Sequence, residues 1–342
     1  MVDGPSPASG LRRVVFIGAG LIGGSLALAI KRRRTDTRVV CLDLPHRLGA
    51  VRNAGVADEV GSTLDFADYL PGCGLLVLAT PVDRILTLLD EIGPYLTPGT
   101  IVTDVGSTKA EICRKARAAL PGGVHFIGGH PIAGSETSGV EDADPLLFND
   151  RVYMLCPDQE TPPEAMLAML DIVEDLSAVP VTIEPEEHDR ILAVVSHVPQ
   201  LVAIALVHAA LEDDGTHGLL DTIVGPGFLG LTRVAASDFE VWRSILGTNL
   251  RAIRGGLDRL EASLAAVRGS LGTAELGALW QSVSSRRRKM SVDTLPRPRK
   301  AELRQLVDRY DEQILKALGN RLKVVRKIGN IKQSVAMQVG DP

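Results

Sequence analysis

Arg13-Val14-Val15-Phe16-Ile17 is a β-rich run that leads straight into Gly18-Ala19-Gly20-Leu21-Ile22-Gly23, and a helical pattern follows from Ser25 to Arg34. Strand, GxGxxG turn and helix in this order constrain the fold more than anything else in the chain. The first glycine turns the backbone, the second lets it approach a pyrophosphate, and the third packs the helix against the strand. The helix N-terminus adds a partial positive charge where phosphates would sit. Gly18, Gly20, Leu21, Ile22 and Gly23 are therefore the expected cofactor-binding backbone. A second strand, Arg38 to Leu42, ends at Asp43, twenty residues after Gly23. A carboxylate there accepts hydrogen bonds from ribose hydroxyls and repels a 2′-phosphate, so NAD is favoured. Arg47, which could pair with that phosphate, keeps NADP as the less favoured alternative.

The strand–helix alternation continues. Gly74 to Ala79 reads as a strand whose end, Thr80-Pro81, opens a helix from Val82 to Ile92; proline fits the first turn, where its missing N–H costs nothing. Thr100 to Asp104 is the next strand, and Val105-Gly106-Ser107-Thr108-Lys109 turns into a further helix. Val124 to Ile127 then reads as a buried strand that ends where Gly128-Gly129-His130-Pro131 begins. Pro131 biases His130 towards an extended conformation, so the imidazole sits on stiff chain beside small residues. In a doubly wound sheet, ligands bind outside the carboxyl ends of the strands. The Gly18 loop, Asp43, Thr80, Pro81, Ser107 and His130 all fall at those ends. Thr80 and Ser107 could equally serve as helix caps.

The chain has 342 residues, enough for about two domains, and a formal net charge of −5, which argues against a general nucleic-acid binder. Aromatic residues make up only 4% against 45% hydrophobic residues, so the core must be built from Ala, Val, Leu and Ile. Cys41, Cys73, Cys113 and Cys156 show no metal-type spacing and read as core thiols in a reducing compartment. No metal site is expected. Met1 to Gly10 lacks an apolar signal core, which points to a cytoplasmic protein.

After Arg151 to Leu155 and Val179 to Ile183 the strand signals stop. Pro185 to Leu211 is a long helical pattern with an expected kink at Pro199. Its apolar part, Ile191 to Leu211, carries Ser196, His197, Pro199, Gln200 and His208, an expensive set to place in lipid. A helix buried inside the protein is the preferred reading, with no membrane partner. His197 and His208 are eleven residues apart and share a face; His208 is expected to be a satisfied core residue. Gly225 to Gly230 is a loop leading into Thr232-Arg233-Val234-Ala235. Helices over Asp238 to Leu246 and Arg251 to Gly269 suggest a dimer interface in the second half. Arg286 to Lys289, followed by Pro296 and Pro298, reads as a solvated basic linker.

Taken together, Gly18 to Ser25, Asp104 to Lys109, Gly129-His130-Pro131-Ile132-Ala133-Gly134-Ser135-Glu136, His188-Asp189, Ser196-His197-Val198-Pro199 and Thr232 to Ala235 resemble the prephenate dehydrogenase family over roughly residues 12 to 285. The resemblance implies a Rossmann-type doubly wound α/β domain (11–183) followed by an all-helical substrate and dimerisation domain (184–285). It also implies a homodimer through the C-terminal helices. The implied activity is NAD-dependent oxidative decarboxylation of prephenate to 4-hydroxyphenylpyruvate in tyrosine biosynthesis. Arogenate, or either substrate as in a cyclohexadienyl dehydrogenase, stays open. By this resemblance His130 is the catalytic base and Ser107 bonds both that histidine and the substrate hydroxyl. Arg233 holds a substrate carboxylate, and His197 is a second, substrate-side histidine. Ser135 and Glu136 stand at a polar substrate contact and a gating acid. Ser135 replaces the commoner threonine, and Gly230 stands where some relatives carry an acid.

A shorter resemblance follows a linker at 286–300. Residues 301–342 look like the first long helix of helical chorismate mutases, with Arg304, Arg321 and Lys332 at matching substrate positions. The chain ends where that family's second helix would begin. A truncated mutase part of a bifunctional enzyme, or a retained structural helix, is the expectation there.

Overall fold

The computed structural model describes residues 11–134, 139–213, 220–290 and Leu315. By their internal contacts Met1–Pro296 and Arg297–Pro342 form two compact units, and the first holds both the sheet and the helices that succeed it. Eight strands form one sheet: β1 (Arg13–Ile17), β2 (Arg38–Asp43), β3 (Glu59–Ser62), β4 (Leu75–Leu78), β5 (Ile101–Asp104), β6 (His125–Pro131), β7 (Val152–Cys156) and β8 (Val179–Thr182). Their order is β3-β2-β1-β4-β5-β6-β7-β8. The first six run parallel, β7 is antiparallel to β6, and β8 is parallel to β7. The crossovers carry α1 (Leu21–Arg33), α2 (Leu48–Ala54), α3 (Phe66–Tyr69), α4 (Val82–Ile92), α5 (Ala110–Ala119) and α6 (Pro163–Asp175).

The sequence pattern explains these elements. Strands β1, β2, β4 and β5 are short aliphatic runs buried on both faces, as a helix-covered parallel sheet requires. Helix α4 presents Val82, Ile85, Leu88, Leu89 and Ile92 at helical spacing to the core beside Val15, Leu42 and Leu76. Helix α1 starts at Leu21, four residues earlier than its sequence pattern indicates, because Gly20 serves as its N-cap. All four cysteines are free, and burial pushes the Cys41 thiol up to about 12 and the Cys73 thiol up to about 11, as expected of core thiols.

Strand β6 departs from its expected end at Ile127. Its pairing with β5 stops there, but Gly128 to Pro131 continue as an antiparallel ladder with β7. His130 thus sits within a strand rather than after one. Glycine permits this, since a Cβ on Gly129 would lie 2.5 Å from the Asp104 carbonyl oxygen and one on Gly128 would lie 2.9 Å from Cys113 Sγ.

After β8 the described residues form α7 (Pro185–Leu192), a π-helical turn (Ala193–His197), α8 (Val198–Asp213), α9 (Leu220–Ile223), α10 (Pro226–Thr232), a 3₁₀ turn (Arg233–Ala236), α11 (Phe239–Thr248), α12 (Leu250–Gly269) and α13 (Ala274–Arg288). The irregularity expected at Pro199 takes the form of the π turn just before it. Proline cannot donate to the carbonyl four residues back, and a wider turn absorbs that loss. Pro185–Glu212 is long and apolar enough to cross a membrane by length and composition, yet only 33% of its most apolar window is buried within the chain. The expectation that the chain itself covers this helix is therefore only partly met. Val194, Val195, Ile204, Leu206 and Leu211 are exposed. His208 is exposed too, with Nδ1 3.8 Å from Glu212, not the core residue its apolar neighbours indicate. Arg286 to Arg288, expected in a linker, form the last turn of α13, where positive charge complements the helix dipole.

Replacing Gly129 by alanine is expected to cost roughly 2 kcal/mol or more, because backbone must move to admit the Cβ. A Cβ on Gly20 meets nothing within 4 Å. Gly20→Ala should therefore stay within about 1 kcal/mol of the parent chain. Urea unfolding of both variants checks the contrast.

Candidate active site

The carboxyl ends of the parallel strands converge as expected. Gly18 adopts φ +96°, and a Cβ there would lie 2.6 Å from the Ala79 carbonyl oxygen, so this turn demands glycine. Gly23 is equally closed, with 2.2 Å between its would-be Cβ and the Gly18 oxygen, whereas Gly20 is open. A tight turn beside an open backbone cradle at the start of α1 fits a pyrophosphate. Asp43 is buried at the end of β2. Its Oδ2 accepts from the Ala19 amide at 2.9 Å and its Oδ1 accepts from the Leu44 amide at 2.7 Å. The carboxylate is thereby fixed against the glycine turn. Arg47 Nε lies 3.9 Å from Asp43 Oδ1, which draws this arginine towards the carboxylate. At the end of β4, Thr80 does not cap α4; its Oγ1 is buried without a hydrogen-bond partner, a free polar atom beside the glycine turn. These features fit a dinucleotide.

The reaction side is built on a fully buried ion pair. Asp104, at the end of β5, pairs with Lys109, and both side chains have 0% exposure. The same carboxylate accepts from the Gly106 amide at 2.8 Å and the Gly129 amide at 3.2 Å. One side chain thus fixes the loop that carries Ser107 and the strand that carries His130. Ser107 is half-buried in that loop. It does not cap α5, which begins at Ala110. The first amides of α5 go instead to Asp189, whose Oδ1 accepts from Lys109 N at 2.7 Å and Oδ2 from Ala110 N at 3.0 Å.

Asp189 also orients the histidines. Its Oδ1 lies 2.9 Å from His188 Nδ1, and His188 Nε2 lies 2.8 Å from His130 Nδ1. A carboxylate only accepts, so His188 carries its proton on Nδ1 and its Nε2 accepts. His130 must then donate from Nδ1, which leaves the Nε2 lone pair free to take a proton. Burial holds His130 well below its ordinary value of 6.5, and the neighbouring His188, Lys109 and His197 disfavour its protonation further. Burial also lowers His188, against the opposing pull of Asp189. His197 is buried at the end of the π turn, and its burial lowers it to about 4. All three rings are neutral near pH 7, as a general base requires.

Arg233 opens the 3₁₀ turn after α10 and its side chain is exposed. Gln200 Nε2 pins this turn by donating to the Val234 carbonyl at 2.9 Å and to Ser237 Oγ at 2.8 Å. Trp242 Nε1 donates to the same Ser237 Oγ at 3.0 Å, and its ring meets His197 edge-on at 6.0 Å. The arginine loop and His197 are therefore parts of one packed unit. Ser135 and Glu136 lie outside the described residues, as do Arg304, Arg321 and Lys332. Among the described residues, no group of three or more His, Cys, Asp or Glu side chains could hold a metal ion.

Sequence reasoning assigned no role to Asp104, Lys109, His188, Asp189, Gln200 or Asn249. A sequence signal existed for four of them: Asp104 and Lys109 bound one of the stretches that carry the family resemblance, and His188-Asp189 is another.

Comparison with known proteins identifies the family of this chain. A family model described as prephenate dehydrogenase, nucleotide-binding domain, matches residues 26–182, and one described as prephenate dehydrogenase, dimerization domain, matches residues 184–281. The prephenate dehydrogenase of Bacillus subtilis (strain 168) is 35% identical over 250 residues, which span 72% of this chain and 66% of that protein, just short of two thirds of its length. Among solved structures, the prephenate dehydrogenase of A. aeolicus in complex with hydroxyphenyl propionate and NAD+ is 29% identical with a TM-score of 0.76, covering 82% of this chain and 98% of that one. Synechocystis arogenate dehydrogenase is also 29% identical, with a TM-score of 0.70 over 81% of this chain and 99% of that one.

Unfolding would return both His130 and His188 to the ordinary value of 6.5. Between that value and their lower folded values, the unfolded chain binds more protons than the native one. Their contribution to stability is thus full above about pH 6.5 and is lost as pH falls below it. The urea midpoint should drop between pH 7.5 and 5.5, and by less in a His130→Gln variant, as read by circular dichroism.

Proposed function

This chain belongs to the prephenate dehydrogenase family, and from that premise we propose that it catalyses the NAD-dependent oxidative decarboxylation of prephenate to 4-hydroxyphenylpyruvate, in the cytoplasm, as a step of tyrosine synthesis. The observation that carries the reading is the Asp189–His188–His130 chain, which leaves one neutral imidazole nitrogen unprotonated in a buried site. When bound, NAD supplies the hydride acceptor. The open Gly20 backbone, the fixed Asp43 carboxylate and the unpartnered Thr80 Oγ1 support its binding, and the negative charge of Asp43 favours NAD over NADP.

In this reading His130 Nε2 takes the proton of the ring hydroxyl as hydride leaves the same carbon. Loss of the ring carboxylate as CO2 then leaves an aromatic ring, which makes the step effectively irreversible. Asp104, through the Gly106 and Gly129 amides, holds Ser107 and His130 in register, and its partner Lys109 opposes protonation of the base. Ser107 bonds the substrate hydroxyl, and Arg233 offers its fork of donors to a carboxylate. His197 contacts the substrate from the helical half. Ser135 and Glu136 complete the assignment as polar contact and gating acid.

The helical half matches a dimerization-domain model and leaves Leu264, Leu271, Leu279, Trp280 and Val283 of α12, α13 and their connection exposed. We read this face, together with the exposed side of α8, as the contact with a second copy. Sedimentation equilibrium should return twice the chain mass, and Trp280→Glu combined with Val283→Glu should shift it towards the monomer.

Purified protein should reduce NAD in the presence of prephenate, and arogenate in a parallel assay shows which substrate is preferred. His130→Asn should lower kcat by about 10²–10⁴-fold while NAD still binds. No turnover with either substrate, in protein that binds NAD, would overturn the assignment.

A further inference from the structure

Asn249 links α11 to α12 and is buried, yet nothing in the proposed reaction uses it. Its Nδ2 lies 2.8 Å from the Asp189 carbonyl oxygen and 3.2 Å from His197 Nδ1. A backbone carbonyl only accepts, so the atom facing it must be the amide nitrogen, which settles the orientation of the Asn249 side chain. The same nitrogen has a second hydrogen to give, and its other neighbour is His197 Nδ1. That ring nitrogen therefore accepts, and the single proton of the neutral ring resides on Nε2. Trp242 packs edge-on against the ring and limits its rotation. Asp189 appears at both ends of the site: its carboxylate fixes His188 and through it His130, while its carbonyl anchors the asparagine that fixes His197.

We propose that Asn249 is a positioning residue that holds His197 in the Nε2–H form, so that His197 offers the substrate a hydrogen-bond donor and binds one of its oxygens. The two histidines are thus set in opposite senses: His130 presents a lone pair, His197 presents a proton. A donor at His197 selects an acceptor, such as a carboxylate or a ketone, and opposes an ammonium group. The binding role of His197 rests on the proposed function; the tautomer does not.

The first test needs no variant and no turnover. Long-range proton–nitrogen correlation spectra of histidine-labelled protein at pH 7, with His197 assigned by comparison with His197→Gln, should show a protonated Nε2 and an unprotonated Nδ1. A protonated Nδ1 would overturn the proposal whatever the enzyme does with prephenate. The second test is kinetic. Asn249→Asp puts an acceptor where His197 needs a donor, which should move the ring proton to Nδ1. KM for prephenate should rise roughly tenfold or more with kcat and KM for NAD little changed. Asn249→Ala, which leaves both tautomers open, should have a smaller effect on KM. Both variants also lose the bond to the Asp189 carbonyl, so some loss of thermal stability is expected of each; equal falls in kcat and NAD affinity in both, with KM for prephenate unchanged, would overturn the proposal. Failure of the parent enzyme to turn over prephenate or arogenate would fall on the functional reading, with the spectra still deciding the tautomer.

Discussion

One carboxylate, Asp189, carries the coupling between the two halves of this molecule. Helix α5 begins without a capping side chain of its own, and unbonded amides at a buried helix start are costly. Asp189 satisfies two of them from a helix that lies beyond the sheet in sequence. The same group fixes the proton on His188, and that choice passes to His130 through a 2.8 Å contact. A helix start and the proton placement of two buried histidines are thus set by a single side chain. The helical half is therefore not simply docked on the nucleotide-binding sheet but supplies part of its chemistry.

The buried Asp104–Lys109 pair performs the matching task inside the sheet. Removing one member of such a pair leaves an uncompensated charge in a dry site, so neither residue is freely replaceable. Its position explains why β6 can carry glycines where a strand usually prefers larger residues. Gly128 and Gly129 let the chain pass close to Cys113 and Asp104, and the Gly129 amide is then bonded by Asp104. Closeness delivers His130 to a place where burial and a neighbouring cation keep it neutral. The helical half handles its own exception in a similar way, by widening the helix before Pro199 into a π turn that ends at His197.

Much of the nucleotide side was legible in the chain because its signals are local. The glycine turn, the acidic residue at the end of β2, Thr80-Pro81 before α4 and the aliphatic runs all depend on neighbours within a few positions. His130 stood out as a candidate for the same reason, set off by glycines and a proline. Asp189, Gln200 and Asn249 were not, since their partners lie 34 to 80 residues away. An asparagine between two helices reads as a cap until its buried partners are known. His208 shows the converse error: it shares with His197 an apolar helix and a three-turn spacing, but only the stretch at His197 is covered by α11, α12 and Trp242.

The sequence by itself determined the doubly wound sheet, its glycine turn and the strand ends at which a dinucleotide and a base would meet, because chain periodicity and backbone sterics act over short range. Only the tertiary structure decided which way His130 and His188 hold their protons, which carboxylate caps α5 and how much apolar helix surface remains exposed. Those outcomes depend on hydrogen bonds and burial between residues that the sequence keeps far apart and the fold brings within 3 Å or so of one another.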